Sequence, residues 1–571
     1  MVFTAIDRYI TVSGVSWLGW YMKRKLEDST KDVKTAQNDL LLERIKENAC
    51  TEYGRRFRFE EIKGREDFVQ FHPLTRYPHY EPYIERMMKG EQNVLLKDQP
   101  VIFAVTSGTS GKSSIIPMIQ KQQSTFFTQG ISIIYNSMRS AFPNTGSQQK
   151  DMKFFYTPRL RTSECGIPIG PNSSSPANSK RILSMYSTPK AGYDIKTEPE
   201  AMYIHLLFGL KDRNLGIIEA NFASLIYAAF RSLESNWDSL VNDIELGRVS
   251  EKLDIPEDVR KELNKSMSPD PKRAEELRLA RKEGVSGLAN RIWPKLNFVM
   301  TADSGTFELY GNRLREIYCN GTPVYSPLYA ASEGLLGINI WPRERPSRYL
   351  LAPNSMVFEF IPVANTEEDQ PKTLFLDEVE VDQVYELVIT NASGLYRYRF
   401  GDVVKVVGHH NTCPVIEFQY RQGQFLNVRG EKISENFFYQ ALSSAVQKAG
   451  VNMVDYCCTE SLMVDQVSSN KSTAAPCYHV FIELEEGDSV KNQVKIDEEL
   501  KALSYVYSSF RRKGSIAPMK VYIVKPGTFA ELRSFMIQST TGSPNQYKVP
   551  RVLKKPEAVK FVLDKLDACL I

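Results

Sequence analysis

The chain has little of what marks several common protein classes. It lacks an excess of charge of one sign: 72 Lys+Arg stand against 68 Asp+Glu in 571 residues, a formal net charge of +4. That balance gives no overall field for a nucleic acid polymer or an anionic surface, so only a local patch could act. The 8 cysteines are scattered from Cys50 to Cys569, with no C-x-x-C and no histidine cluster at zinc spacing. This argues against a disulfide scaffold or a structural zinc site and leaves buried or idle thiols. There is no internal repeat. The five sequons, at Asn172, Asn264, Asn320, Asn391 and Asn470, are too short a pattern to establish secretion.

Long hydrophobic runs are also missing. The nearest is Tyr9 to Met22, 14 residues closed by Lys23-Arg24-Lys25, where a spanning helix needs about 20. It lacks a clean small-residue cleavage site. An interfacial or docking helix is expected there, with peripheral membrane contact through residues 9–25. The expected compartment is the cytoplasm, with endoplasmic reticulum or membrane association as the alternative.

What is present is globular. Hydrophobic residues make up 42% and aromatics 11%, with 32 Gly and 30 Pro, which excludes a disordered chain or a low-complexity fibre. At about 150 residues per domain the length allows two to four domains. Residues 33–48 read as a helix, and Val101 to Val105 as a buried strand. Residues 144–150 and 171–180 read as surface loops. Charged helices, broken at Pro256 and around Pro269 and Pro271, are expected between 242 and 283. Strands follow at 296–300, 357–361, 385–390 and 403–407. After about Val428 comes a smaller α+β region, with a helix at 436–448 and strands at 478–484 and 520–524.

Four motifs could carry chemistry. Thr106-Ser-Gly-Thr-Ser-Gly-Lys-Ser-Ser114 follows a strand. Its glycines and hydroxyls would make a nest of donors for phosphate oxygens, or else a simple turn. A Walker A loop needs glycine where Thr106 stands, so a P-loop NTPase is disfavoured. Tyr329-Ala-Ala-Ser-Glu-Gly334 sets a carboxylate beside an aromatic ring, suited to Mg²⁺ and base stacking or to a capped strand end. In Leu395-Tyr-Arg-Tyr-Arg-Phe-Gly-Asp402 the aspartate could accept from a ribose diol, or the Gly-Asp pair could be a hairpin. In Gly542-Ser-Pro-Asn-Gln-Tyr-Lys-Val-Pro-Arg551, Lys548 could meet a developing negative charge or simply be exposed.

Taken together and in this order, the four motifs resemble those of adenylate-forming enzymes, and of one branch in particular, the Gretchen Hagen 3 family of acyl acid amido synthetases. The family's S-S-G-T-S is similar to Thr106 to Ser110, its Y-x-S-S-E to Tyr329 to Glu333, its Y-R-x-R-x-G-D to Tyr396 to Asp402, and its Q-Y-K-x-P-R to Gln546 to Arg551. Trp293 to Leu296, Gly401 to Gly408 and Asn427 to Glu431 resemble the animal branch most. The resemblance covers about residue 33 to the end.

The resemblance implies an α/β fold. A large nucleotide- and acyl-binding domain with mixed sheets and helices would span 33–427. A hinge at 428–434, containing Gly430, would lead to a small mobile α+β domain at 435–571. It also implies a ligase that uses ATP and Mg²⁺ to adenylate a small carboxylic acid and then transfers the acyl group to an amino acid. Ser107, Gly108, Thr109, Ser110 and Gly111 would cradle phosphates, and Ser304, Gly305 and Thr306 would edge the adenine. Tyr329 would pack on the base, with Ser332 beside it. Glu333 would hold the metal, Asp402 the ribose, and Arg421 the nucleotide, while Lys548 would neutralise phosphate charge. Phe126, Phe127, Tyr203 and Phe222 are the candidate acyl pocket, against the alternative that they are core. Thr106 and Ala331 replace family serines, and Lys112-Ser113-Ser114 departs from the usual acidic or glycine-rich continuation. The competing readings are an adenylating acyl-CoA ligase and a catalytically silent nucleotide-binding scaffold.

Overall fold

The computed structural model describes residues 2–106, 114–142, 149–155, 160–171, 182–422, 425–426, 428, 431, 433–468, 475–485, 494–538 and 550–570. The described parts of the chain up to Arg421 form three sheets. The largest has eight strands, all antiparallel, in the order 374–375, 357–362, 384–390, 398–410, 413–421, 349–351, 334–338, 328–331. A parallel sheet follows sequence order through Lys150–Lys153, Leu215–Phe222, Phe298–Ala302 and Val324–Tyr325. Helices such as Glu198–Lys211 and Ala223–Ser235 cover it, and its strands Leu215–Phe222 and Phe298–Ala302 are mostly apolar. A third sheet contains the hairpin Ile102–Val105 and Ile115–Met118. Its strands flank the loop of the first motif: the Thr106 amide donates to Ser114 O (2.9 Å) and the Ser114 amide to Thr106 Oγ1 (3.0 Å). A strand leads out of that loop, where a Walker A loop would lead into a helix.

The expected helix at 33–48 is Val33–Asn48, with Asp32 capping its N-terminus through the Thr35 amide. Helices Glu257–Asn264 and Pro271–Lys282 start at the prolines expected to break them. They are not wholly solvated, since Val259, Leu263, Ala274 and Leu277 enter the core. Lys150, expected in a loop, opens a strand. Residues 144–148 of that loop and nearly all of 171–180 lie outside the described residues. The sequon asparagine Asn391 is 2% exposed. The described cysteines are free thiols, five of them buried.

The apolar N-terminus is a helix longer than expected, Val2–Lys31. It packs on the helix Ser132–Ala141. Gly19 permits the approach: a Cβ there would lie 2.0 Å from the Ser132 carbonyl oxygen. Among the described residues no helix is long and apolar enough to cross a membrane.

From Leu426 onward the chain builds two further cores, one of which takes in Leu309. Strands Met453–Glu460, Tyr478–Leu484, Lys520–Val524 and Leu566–Leu570 form a mixed sheet under helices that include Glu435–Ala449 and Thr528–Gln538. In the expected hinge, Ile433–Ser434 pairs with Phe425–Leu426, and the Val428 amide donates to Glu431 Oε1 (2.9 Å). Gly430 lies outside the described residues.

Candidate active site

The second and third motifs meet at one end of the eight-stranded sheet, and strand pairing explains how. Ala331 pairs with Gly334, so Ser332 and Glu333 form a two-residue hairpin turn. Gly334 has φ of +136°, a value that needs glycine. The turn is pinned from inside: the Glu333 carbonyl accepts from Gln122 Nε2 (2.6 Å) and Asn391 Nδ2 (2.7 Å). Gln122 also accepts from the Ser393 hydroxyl, while Asn391 Oδ1 accepts the amides of Ser393 and Leu395 at 3.0 and 3.1 Å. Both amide side chains are buried. Neither has a local sequence signature, so sequence reading missed them.

Asp402 lies directly across the ladder from Arg421. Gly401 before it has φ of +87°, and the Gln422 amide closes on the Gly401 carbonyl at 2.6 Å. The Asp402 carboxylate accepts from the Tyr329 hydroxyl (Oδ2, 2.7 Å), and Arg421 Nη1 lies 3.3 Å from Oδ1. Burial and the Asp402 charge push the Tyr329 phenol far up, so it stays a hydrogen-bond donor. Burial works against the Arg421 guanidinium, but Asp402 and Glu333 outweigh it and hold it charged. The Tyr398 phenol is likewise raised, by burial and then by Glu333. Glu333, Asp402, Arg421 and Tyr329 thus form one electrostatic group, although 329–333 and 402 are some 70 residues apart in sequence.

The loop Ser304-Gly305-Thr306 borders this group. Gly305 has φ of +59°, and a Cβ there would lie 2.7 Å from Phe418 Cε1. The Phe418 ring is 6.2 Å from that of Tyr329, which is 5.7 Å from Tyr349. The loop is anchored by a residue that sequence reading missed. Asp303, with a side chain 1% exposed, holds Arg315 and also Arg345 (2.7 Å).

The other arginines of the third motif do not reach the group. Arg397 pairs with Glu359 (2.9 Å) and Arg399 with Glu386 (2.6 Å), all four side chains being at most 5% exposed. They brace the sheet.

Ser107, Gly108, Thr109, Ser110, Gly111 and Lys548 lie outside the described residues. Arg551, at the end of the fourth motif, is described and buried. It pairs with Asp455 and donates to Tyr456 O (2.8 Å) and to Thr306 O (3.1 Å). Tyr310 donates to Asp455 Oδ2 at 2.5 Å. The C-terminal segment is therefore fastened to the Ser304–Thr306 loop.

The four aromatics divide. Phe222 stacks on Phe307 (4.4 Å), beside that loop. Phe126 and Phe127 are half-buried where Phe126–Ile131 winds as a π-helix, and Phe126 packs on the main core. Tyr203 is not brought to the cleft: it belongs to the core under the parallel sheet, and its hydroxyl donates to Asp243 (2.9 Å). A phenol that is fully partnered in a core does not line a pocket. The surface pocket of about 340 Å³ bounded by Arg56, His79, Tyr83 and Arg86 involves none of the expected site residues.

The fold is that of an acyl acid amido synthetase: the solved GH3.15 acyl acid amido synthetase superposes with a TM-score of 0.84 at 26% identity, over 95% of this chain and 96% of that one. The chain belongs to the GH3 family, whose N-terminal, central and C-terminal domain models match residues 22–324, 349–421 and 436–557. The 4-substituted benzoates-glutamate ligase GH3.12 of Arabidopsis thaliana is 29% identical over 96% of this chain and 97% of its own length. The GH3 domain-containing protein of Mus musculus is 38% identical, and the matched stretch spans 61% of this chain and 62% of that relative.

Proposed function

We propose that the protein is an ATP-dependent acid–amino acid ligase. A carboxylate oxygen of the acid attacks the α-phosphorus of ATP, and the bond to the β-phosphate oxygen breaks, giving an acyl-adenylate and pyrophosphate. The amine of an amino acid then attacks the acyl carbon, AMP leaves, and the amine loses a proton to give the amide. Family membership over most of the chain supports this reading. The observation that carries it is the union of Tyr329, Glu333, Asp402 and Arg421 in one partly buried polar group at the edge of the Gly305 loop.

Asp402 already has two partners, Tyr329 and Arg421. A ribose diol would take up the aspartate's remaining acceptor capacity or displace Arg421. Tyr329, its hydroxyl tied to Asp402, would present its ring to the base opposite Gly305, where a side chain would collide with Phe418. Negative charge builds on the phosphate oxygens during both steps, and Arg421 is a fixed cation able to stabilise it. Mg²⁺ fits this set. Among the described residues no group of three or more metal-ligating side chains exists, and Mg²⁺ in nucleotide sites commonly uses one or two carboxylates plus phosphates and water. Glu333 would hold it, and it would neutralise phosphate charge. Lys548 would add a second cation from the C-terminal domain, residues 435–571, which would rotate on 428–434 between the two steps.

The test is pyrophosphate exchange into ATP, driven by members of a carboxylic acid panel, followed by mass detection of amides with the twenty amino acids. Exchange that depends on an acid, with an amide product, is expected. Nucleotide binding with no exchange for any acid, or a thioester with CoA in place of an amide, would contradict the proposal.

A further inference from the structure

We propose that the outward face of the N-terminal helix Val2–Lys31 is a docking surface for an anionic phospholipid bilayer. The helix has two apolar faces, and the fold uses one. Leu18, Gly19, Met22 and Leu26 turn toward the body of the protein, and the Gly19 contact with Ser132 holds the helix tightly against it. The other face stands in solvent. Tyr9 (57% exposed), Ile10 (63%), Trp17 (65%), Trp20 (49%) and Tyr21 (40%) fall within less than half a turn of the helical wheel. They are five of sixteen exposed large hydrophobic side chains among the described residues. The chain has only 5 tryptophans; Trp237 and Trp293 are buried and Trp341 half-buried. A globular protein rarely leaves such a stripe without a use.

The occupant is read from chemistry. Tryptophan and tyrosine have an apolar body and a polar tip, the pattern that suits the headgroup layer of a bilayer. The same face then turns cationic. The Arg24 guanidinium lies 5.1 Å from the Trp20 ring centroid, and Lys25 Nζ 4.9 Å from that of Tyr21. The two acidic side chains described on this helix both have partners. Glu27 binds His410 (2.7 Å) and Asn411 (2.9 Å), and Asp28 binds Lys31 (2.7 Å). Among the described side chains, those that stand against the aromatic rings, Arg24 and Lys25, are positive, complementary to anionic headgroups. A protein whose overall charge is nearly balanced can meet such a surface only through a patch like this one. The helix would lie flat, since it is not apolar enough to cross.

The experiment uses the full chain with vesicles of phosphatidylcholine alone, or with about 30 mol% phosphatidylserine, at about 0.15 M salt. Co-sedimentation is expected to be at least about tenfold stronger with phosphatidylserine, with a blue shift of tryptophan emission. The double variant Trp17→Ser/Trp20→Ser is expected to lose about tenfold in binding, with the melting temperature and the helix content retained. Arg24→Gln/Lys25→Gln should abolish the preference for phosphatidylserine. Equal partition to both vesicles would overturn the proposal, as would undiminished binding of the tryptophan variant. So would a dimer in sedimentation that the tryptophan variant dissociates, because the face would then belong to a second copy.

Discussion

At the scale of single residues, the side chains proposed to meet the nucleotide, around Asp402, are distinct from the buried pairs that brace the sheet. Glu333→Gln keeps the size and the turn but removes the charge. Acid-dependent pyrophosphate exchange is expected to fall by about 10²–10³ with the melting temperature unchanged, a loss typical of removing one electrostatic stabiliser; exchange at the wild-type rate would assign the metal elsewhere. Gly305→Ala forces both a strained φ and a clash with Phe418, so the KM for ATP should rise about tenfold, measured by initial rates. By contrast, Arg397→Ala removes the ion-pair partner of the buried Glu359 and leaves it only the Thr373 hydroxyl. It is expected to lower stability by about 3–5 kcal/mol in urea unfolding. Tyr329, Glu333 and Asp402 stood out as candidates in the sequence because they lie in compact local motifs. Gln122, Asn391, Asp303 and the Arg551–Asp455 pair did not, because ordinary polar residues become significant only when the fold closes over them.

At the scale of elements, the strands that were legible were those with continuous β-branched and apolar runs, such as 357–362, 384–390 and 478–484. The strand Cys413–Arg421 was not, because Glu417, Gln419 and Arg421 interrupt it and it is sheltered by its neighbours. Its last residue nevertheless carries the site arginine. The strand Gly334–Ile338 was hidden by its two glycines, needed for a tight turn and for close approach to Tyr349 and Leu350. The N-terminal helix was legible as apolar, but the sequence does not say which face packs, since both are apolar. Gly19 decides it. Gly19→Leu should separate the helix from Ser132–Ala141 and cost about 1–3 kcal/mol, seen as faster amide exchange in residues 9–31 and 132–141. Unchanged exchange there would mean that the two helices do not meet at Gly19.

At the scale of the whole molecule, three buried histidines tie stability to pH. Burial pushes His72 down to about 3, and His205 and His479 to about 4. Each stays neutral in the folded protein while the unfolded chain protonates near 6.5. Their contribution is therefore complete above that value and is lost as pH falls toward 4, at about 1.4 kcal/mol per pH unit for each. The urea midpoint should drop steeply between pH 6.5 and 5, and His205→Gln should make the drop shallower. The small C-terminal domain is held by Arg551 to the Thr306 carbonyl and by Arg533 to Glu198, the latter at 2.5 and 2.6 Å. Movement of that domain must break these contacts.

The Tyr329–Glu333–Asp402–Arg421 group is proposed to activate a carboxylic acid with ATP. Acid-dependent exchange of labelled pyrophosphate into ATP, compared between the wild type and Glu333→Gln at saturating Mg²⁺, tests it most directly. Exchange that needs the acid and is nearly abolished by the substitution is expected. Exchange at the wild-type rate after the substitution, or exchange absent with every acid while ATP still binds, would contradict it.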